Sequence, residues 1–356
     1  MSRFYLVLII CMTLGLYGCG SANSSGEKSG SVSVPKVKTE LALVFSDQYG
    51  HGYVDQTGKV MYIGSFSIKG DREVQPFSKS SGTAAVFKKN DKGSKRWQFI
   101  DKTGKTVLEP EFQLLTTLHS FSSGRALFKD DTYVGYFDEK GKIVIPAQFG
   151  GGKDFGDNGL APVSMSKHNY ETTATSKWGY IDVEGNVKIP GQFATAEPFA
   201  QGLALISYDP PNVKFAFINE KGEKVIQSPQ YRPIGSFASN GLAPVAMLNQ
   251  PNYGYINKRG EIAIGAEYTR VRPFAENGLA GVEFYNRKAP DGKTTKWGFI
   301  NSAGKWVIKS QYDAVGDFAE NGLAPVKVGD RWGYIDQQGN MVIQPQFTWA
   351  GNFVVF

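Results

Sequence analysis

Arg331-Trp332-Gly333-Tyr334-Ile335-Asp336-Gln337-Gln338-Gly339-Asn340-Met341-Val342-Ile343-Gln344-Pro345-Gln346-Phe347 decides how the whole chain is read. An aromatic-rich run, a short turn bounded by Asp336 and Gly339, and a second β-branched run make a hairpin signature. The chain repeats it.

Close copies are Lys177-Trp178-Gly179-Tyr180-Ile181-Asp182 with Gly185 and Phe193, and Lys296-Trp297-Gly298-Phe299-Ile300-Asn301 with Gly304 and Tyr312. Weaker copies begin at Gly52, Trp97, Gly135, Phe215 and Gly254. The Asp or Asn that opens the turn falls at 55, 101, 138, 182, 219, 257, 301 and 336, so the repeat is 35 to 46 residues long. That is the length of one supersecondary unit in an array. A second phrase, Phe318-Ala319-Glu320-Asn321-Gly322-Leu323-Ala324-Pro325-Val326, recurs around Phe155, Phe199, Phe237 and Phe274, with degenerate forms at Phe77 and Phe121.

The two phrases together resemble the WG-repeat family of bacterial surface and secreted proteins, over residues 41–356. The resemblance implies a recurring β module and no particular reaction.

Neighbouring residues Tyr334 and Ile335, and Val342 and Ile343, make both faces of these strands apolar, so each sheet needs cover on both sides. Eight antiparallel four-stranded sheets in a β-propeller-like ring satisfy this; an open superhelical β array is the alternative. The unit is read as a Leu-Ala-Pro-Val strand, a Trp-Gly-Tyr-Ile strand, a Val-Ile-x-x-x-Phe strand and a short fourth stretch such as 313–318, giving eight whole units ending at Phe356. Pro162, Pro244 and Pro325 suggest that their strand is a sheet edge, innermost in the ring. With 42 Gly, 24 Phe and 17 Tyr, the composition favours turns and aromatic-filled sheets over helix.

Residues 1–18 are laid out as a signal peptide, with Arg3 before an apolar run from Phe4 to Leu16. Leu16-Tyr17-Gly18-Cys19 resembles a lipobox, with Tyr17 where a small residue is usual. This implies acylation of Cys19 and anchoring to the outer face of a bilayer, at the cell surface or the outer membrane according to the host. Residues 19–40 then form a tether, rich in Ser and Gly, whose reach is roughly 25 Å. Cys11 and Cys19 are the only cysteines, so the repeat domain holds no disulfide or cysteine-zinc site.

The eight turn residues tempt a catalytic or calcium reading, but Asn219, Asn257 and Asn301 keep the acceptor and discard the charge, as turn capping allows and proton transfer does not. Gly58, Gly104, Gly141, Gly185, Gly222, Gly260, Gly304 and Gly339 suit a positive φ. Gly179, Gly298 and Gly333 are read as letting a neighbouring ring lie against the backbone. Trp178, Trp297 and Trp332 share their slot with Tyr253, Phe215, Val134 and His51, which makes it a packing position. His51, His119 and His168 sit at unrelated places in the repeat, so no metal or other cofactor is expected.

Specificity is sought where copies differ. Residues 88–96, 164–177 and 285–296 are insertions between the Leu-Ala-Pro-Val and Trp strands, so all three should emerge on one rim. They supply the candidate ligand-binding residues Lys88, Lys89, Lys92, Lys95, Arg96, Lys167, Tyr170, Tyr285, Arg287, Lys288 and Lys293. The expected partners are the bilayer, through Cys19, and an anionic envelope polymer or partner protein rather than nucleic acid. Formal net charge is only +6. The expected function is a non-catalytic binding or scaffold module. One rival is a hydrolase or lyase with its site in a propeller channel, for which only His119, His168, Glu283 and Asp291 break the repeat symmetry. Another is a purely structural envelope role.

Overall fold

The computed structural model describes residues 39–47, 50–62, 74–89, 93, 95–110, 117–130, 132–166, 177–210, 212–285 and 295–356. Among them there is no helix; strands form eight small antiparallel sheets, seven of four strands and one of three, arranged as the blades of a propeller. Blade four is representative: Gly151–Gly152, Ala161–Ser164, Trp178–Ile181 and Val187–Phe193 lie side by side in that order. In blade two a single bridge, Val74 to Val86, stands where the short first strand would be.

The ring is closed, and not in the phase read from the sequence. The last strand, Trp349–Val355, pairs with Glu40–Ser46 and completes blade one, with Glu40 opposite Val355 and Ala42 opposite Phe353. Thr39 and Phe356 exchange both backbone hydrogen bonds, at 2.9 and 3.0 Å. The short stretch ending each sequence unit therefore belongs to the next blade, so every unit straddles two sheets. Because the two ends of the chain share one blade, the ring is closed, which excludes the open array.

The proline strand is the second in its blade rather than an edge. Pro162 lies opposite Tyr180 on one side, and its carbonyl accepts from the Lys153 amide on the other. Pro244 and Pro325 accept likewise from Ile234 and Gly316. The first strand pairs over only two or three residues, and the proline sits where that ladder ends, so its missing N–H costs no sheet bond.

The glycine after Trp also has a different reason from the one expected. A Cβ on Gly179, Gly298 or Gly333 would lie 2.4–2.5 Å from the carbonyl oxygen of Ile189, Ile308 or Ile343. These oxygens belong to the fourth strand, which bulges there: Trp332 faces Phe347 and Tyr334 faces Ile343. Backbone, and not a ring, demands the glycine.

One aromatic contact repeats at every blade boundary. Tyr53, Phe99, Tyr136, Tyr180, Phe217, Tyr255, Phe299 and Tyr334 are fully buried on the third strands. Each lies against the Phe of the next blade, namely Phe77, Phe121, Phe155, Phe199, Phe237, Phe274, Phe318 and Phe353, at centroid distances of 4.6–5.1 Å. Where the third-strand residue is Tyr, its hydroxyl donates across the boundary to a main-chain carbonyl, as Tyr180 does to Glu197 at 2.8 Å and Tyr334 to Gly351 at 2.9 Å. Burial pushes these phenols far above their ordinary pKa, so they stay neutral donors. The closing boundary uses the same clamp as the other seven.

Candidate functional site

The strand directions give the ring two unlike rims. One carries the turns between third and fourth strands. At all eight, Oδ1 of the Asp or Asn accepts from the backbone amides two and four residues on, at 2.8–3.2 Å. The following glycines have φ of 74–93°. The turn-capping reading holds in every copy. Hydrogen bonds to the charged form hold the aspartates below their usual range. For Asp182, burial works upward but is outweighed by bonds from Asn186 and the charge of Lys188, bringing it to about 2. Such groups stay ionised and offer no general acid or base near neutral pH.

The other rim carries the turns between second and third strands, and here the three insertions emerge together, from blades two, four and seven. Their bases are ordinary ladder pairs: Lys89 opposite Lys95, Ser164 opposite Trp178, and Tyr285 opposite Thr295. Lys89 is exposed and Tyr285 is 46% exposed. Arg96 lies 3.9 Å from Glu109, a loose pair at the edge of the blade. Lys88 and Lys95 are placed as strand positions only. Lys92, Lys167, Tyr170, Arg287, Lys288 and Lys293 lie outside the described residues, as does Cys19. Residues 88–96, 164–177 and 285–296 hold eleven of the chain's 39 Lys and Arg but only three of its 33 Asp and Glu. The remainder of the chain is therefore slightly acidic, and the basic excess belongs to this rim.

Around the axis, side chains next to the first strands pair with those of the adjacent blade. His119 Nδ1 lies 2.8 Å from Asp154, Lys153 pairs with Glu197 at 2.6 Å, and Arg272 grips Asp317 through two hydrogen bonds of 2.5 and 2.8 Å. Lys79 of blade two reaches Glu320 of blade eight and, at 3.7 Å, Glu276 of blade seven, which places these segments at the axis. The bond from Asp154 raises the His119 pKa, burial opposes it, and the Asp154 charge adds to the rise. The first three pairs join neighbouring blades and Lys79 reaches across to non-adjacent ones, which is a structural use of charge around the channel.

The symmetry-breaking residues proposed for an enzyme are not gathered into one place. His119 is in blade three, while Glu283 is in blade seven, accepting from Thr269 at 2.9 Å. His168 and Asp291 lie outside the described residues. The tryptophan slot is filled by half-buried packing groups: Trp178, Trp297 and Trp332 each lie against a blade core, and His51 contacts Phe45 at 4.9 Å.

One feature of the same rim was missed in the sequence, a cleft of about 470 Å³ between blades five and six. Its signal was there to be found. Ile226 and Tyr231 are five residues apart where Ile145–Phe149, Ile189–Phe193, Ile264–Tyr268, Ile308–Tyr312 and Ile343–Phe347 are four, and Ala216 replaces the strand glycine.

Solved structures similar to this one are propellers of remote sequence. A eukaryotic initiation factor superposes with a TM-score of 0.53 at 9% identity, over 89% of this chain and 98% of that one. Apo AztD from Citrobacter koseri gives 0.50 at 11%, over 90% and 98%. The dihydro-heme d1 dehydrogenase NirN in complex with DHE gives 0.53 at 11%, over 88% and 74%. At such identities the likeness concerns the fold alone. No curated protein matches the sequence. A profile described as the WG containing repeat matches residues 97–131, 135–167, 178–209, 215–249, 253–287, 297–332 and 332–354. The seven matches begin at residue 97 and leave outside the second to fourth strands of blade one, whose third strand is the weak copy Gly50–Asp55. With most of its length covered by that profile and its eight blades built on the repeat's own turn and clamp, the chain belongs to the WG-repeat family.

Proposed function

We propose that this protein is an exported binding or scaffold module, held to a membrane by acylated Cys19, whose insertion-bearing rim engages an anionic surface such as an envelope polymer, lipid headgroups or an acidic protein. The observation that carries the reading is the concentration of basic residues in three excursions that leave one rim of a ring otherwise slightly acidic. Binding groups commonly sit on loops presented by a rigid scaffold, and a cationic rim adds long-range attraction that salt screens. The lipobox-like Cys19 and the tether of residues 19–40 suit a body free to turn this rim towards a surface within roughly 25 Å. No catalytic step is assigned, because the charged pairs around the axis are engaged between blades.

The test replaces Lys88, Lys89, Lys92, Lys95, Arg287, Lys288 and Lys293 by Gln in the full chain and measures retention on purified envelope at low and high salt. The reading expects strong retention at low salt that falls as salt rises, and that the substitutions remove. Retention that is unchanged by the substitutions and insensitive to salt rejects it.

A further inference from the structure

From the break in blade five we infer that the cleft between blades five and six is a binding site for a small aromatic carboxylate, independent of the basic excursions. In blades three, four, six, seven and eight the fourth strand runs its full length, and its last aromatic residue faces the tryptophan slot, as Phe193 faces Trp178 and Tyr268 faces Tyr253. In blade five the ladder stops at Ile226, opposite Phe217. The extra residue carries Tyr231 out of the register that the other fourth strands keep, so residues 227–230 leave the sheet and Tyr231 enters the first strand of blade six, opposite Met247. Phe215 is left without a fourth-strand neighbour. Ala216 is tolerated because no bulged carbonyl presses on it there.

The space so opened has the size of a small-molecule site. Its walls are largely apolar, with Phe215, Tyr208, Val213 and Leu248, of which Val213 and Leu248 are 42% and 58% exposed. Tyr208 donates to Gln227 at 2.8 Å and holds the detached segment in place, so the cleft has a fixed wall. Its two charges are both positive, Lys214 and Arg232, and no acidic residue lines it. Lys214 pairs with Asp209 at 3.3 Å. The Arg232 guanidinium lies 5.8 Å from the Phe215 ring and has no carboxylate within ion-pair reach among the described residues. An apolar slot capped by an unneutralised guanidinium suits a flat ring bearing one carboxylate, which Arg binds through two parallel hydrogen bonds.

The experiment titrates the full chain with naphthalene-2-carboxylate and, separately, with naphthalene-2-carboxamide, by calorimetry. One-to-one binding of the carboxylate is expected, with the amide weaker by about tenfold or more, and Arg232→Gln weakening the carboxylate by a similar factor. Deletion of Pro229 restores the four-residue spacing and is expected to close the cleft and abolish binding. Arg232 is exposed, so its variant folds and decides the matter even if the deletion does not. The excursion-neutralised variant should bind the carboxylate as the parent does, which separates this site from the rim reading. Equal affinity for carboxylate and amide, full affinity in Arg232→Gln, or no one-to-one binding overturns the inference.

Discussion

The two rims come from the same eight blades, yet one is nearly invariant and the other is not. On the turn rim every copy has the same Asx cap and the same positive-φ glycine, whether the cap is Asp or Asn. On the opposite rim the link between second and third strands ranges from the two residues between Val328 and Arg331 to the thirteen, 165–177, between Ser164 and Trp178. The difference teaches where the fold spends its constraints. A link that does not cap a strand or touch the next blade can lengthen at little cost, since loop-closure entropy grows slowly with length.

The hardest way to break this contrast is to open the ring. Deleting Trp349–Phe356 removes the closing strand with its buried Ala350, Phe353 and Val355, and is expected to cost at least ~3 kcal/mol and to broaden thermal unfolding. Deleting residues 167–176 should leave the transition sharp. Calorimetric unfolding compares the two.

Next in size are the turn glycines. At Gly185, with φ of 93°, a Cβ would also meet Ile145 of the preceding blade at 3.2 Å, so Gly185→Ala is expected to cost roughly 2 kcal/mol. Gly329, on the variable rim, has φ of 60° and nothing within 4 Å, and Gly329→Ala should cost about 1 kcal/mol from backbone strain alone. Equal losses in denaturant titrations would dissolve the distinction.

The caps come third. Asp182→Ala should cost about 1 kcal/mol, as loss of a side-chain cap does, whereas Asp182→Asn, which keeps the acceptor and loses only the charge facing Lys188, should cost less at pH 7. The folded-state pKa of Asp182 is depressed to about 2, so its ionic contribution is present above the unfolded value of 3.8 and is lost as pH falls towards 2. Stability curves of parent and Asp182→Asn should converge over that range.

A smaller effect belongs to the axis. His119 has a raised pKa in the fold, so its contribution is full below the ordinary value of 6.5 and disappears as pH rises through the raised one. Both partners are partly exposed, which keeps the effect under ~1 kcal/mol. Replacing His119 by Gln should flatten the change in melting temperature across that interval.

Much of the frame could be read in the residues, because local chemistry repeated eight times is hard to misread. An Asx residue followed by glycine three positions later specifies one turn wherever it falls, and the adjacent apolar pair Tyr334 and Ile335 is covered on both faces as read, whereas on the outermost strand Ile343 is covered and Val342 is 46% exposed, because no further layer packs on that face. What escaped depended on contacts between distant parts of the chain. The phase of the blades is decided by Trp349–Val355 meeting Glu40–Ser46, a pairing no local window contains. The proline strand was misplaced because the ladder's short length, not its edge position, accommodates Pro162. The glycine after Trp was assigned to a ring because the bulge in the fourth strand is a property of the pair of strands. The blade-five cleft was legible in principle from one extra residue before Tyr231, but its meaning required seeing that the neighbouring strand ends there. The excursions could be assigned to one rim by their position in the repeat alone.

The most direct measurement sets rim against rim. Neutralising Lys88, Lys89, Lys92, Lys95, Arg287, Lys288 and Lys293 to Gln should remove salt-sensitive retention on purified envelope. Neutralising the same number of lysines on the turn rim, Lys59, Lys102, Lys105, Lys140, Lys142, Lys221 and Lys305, all exposed, should leave most of it. Equal loss from the two variants would mean that overall charge, and not the irregular rim, does the binding.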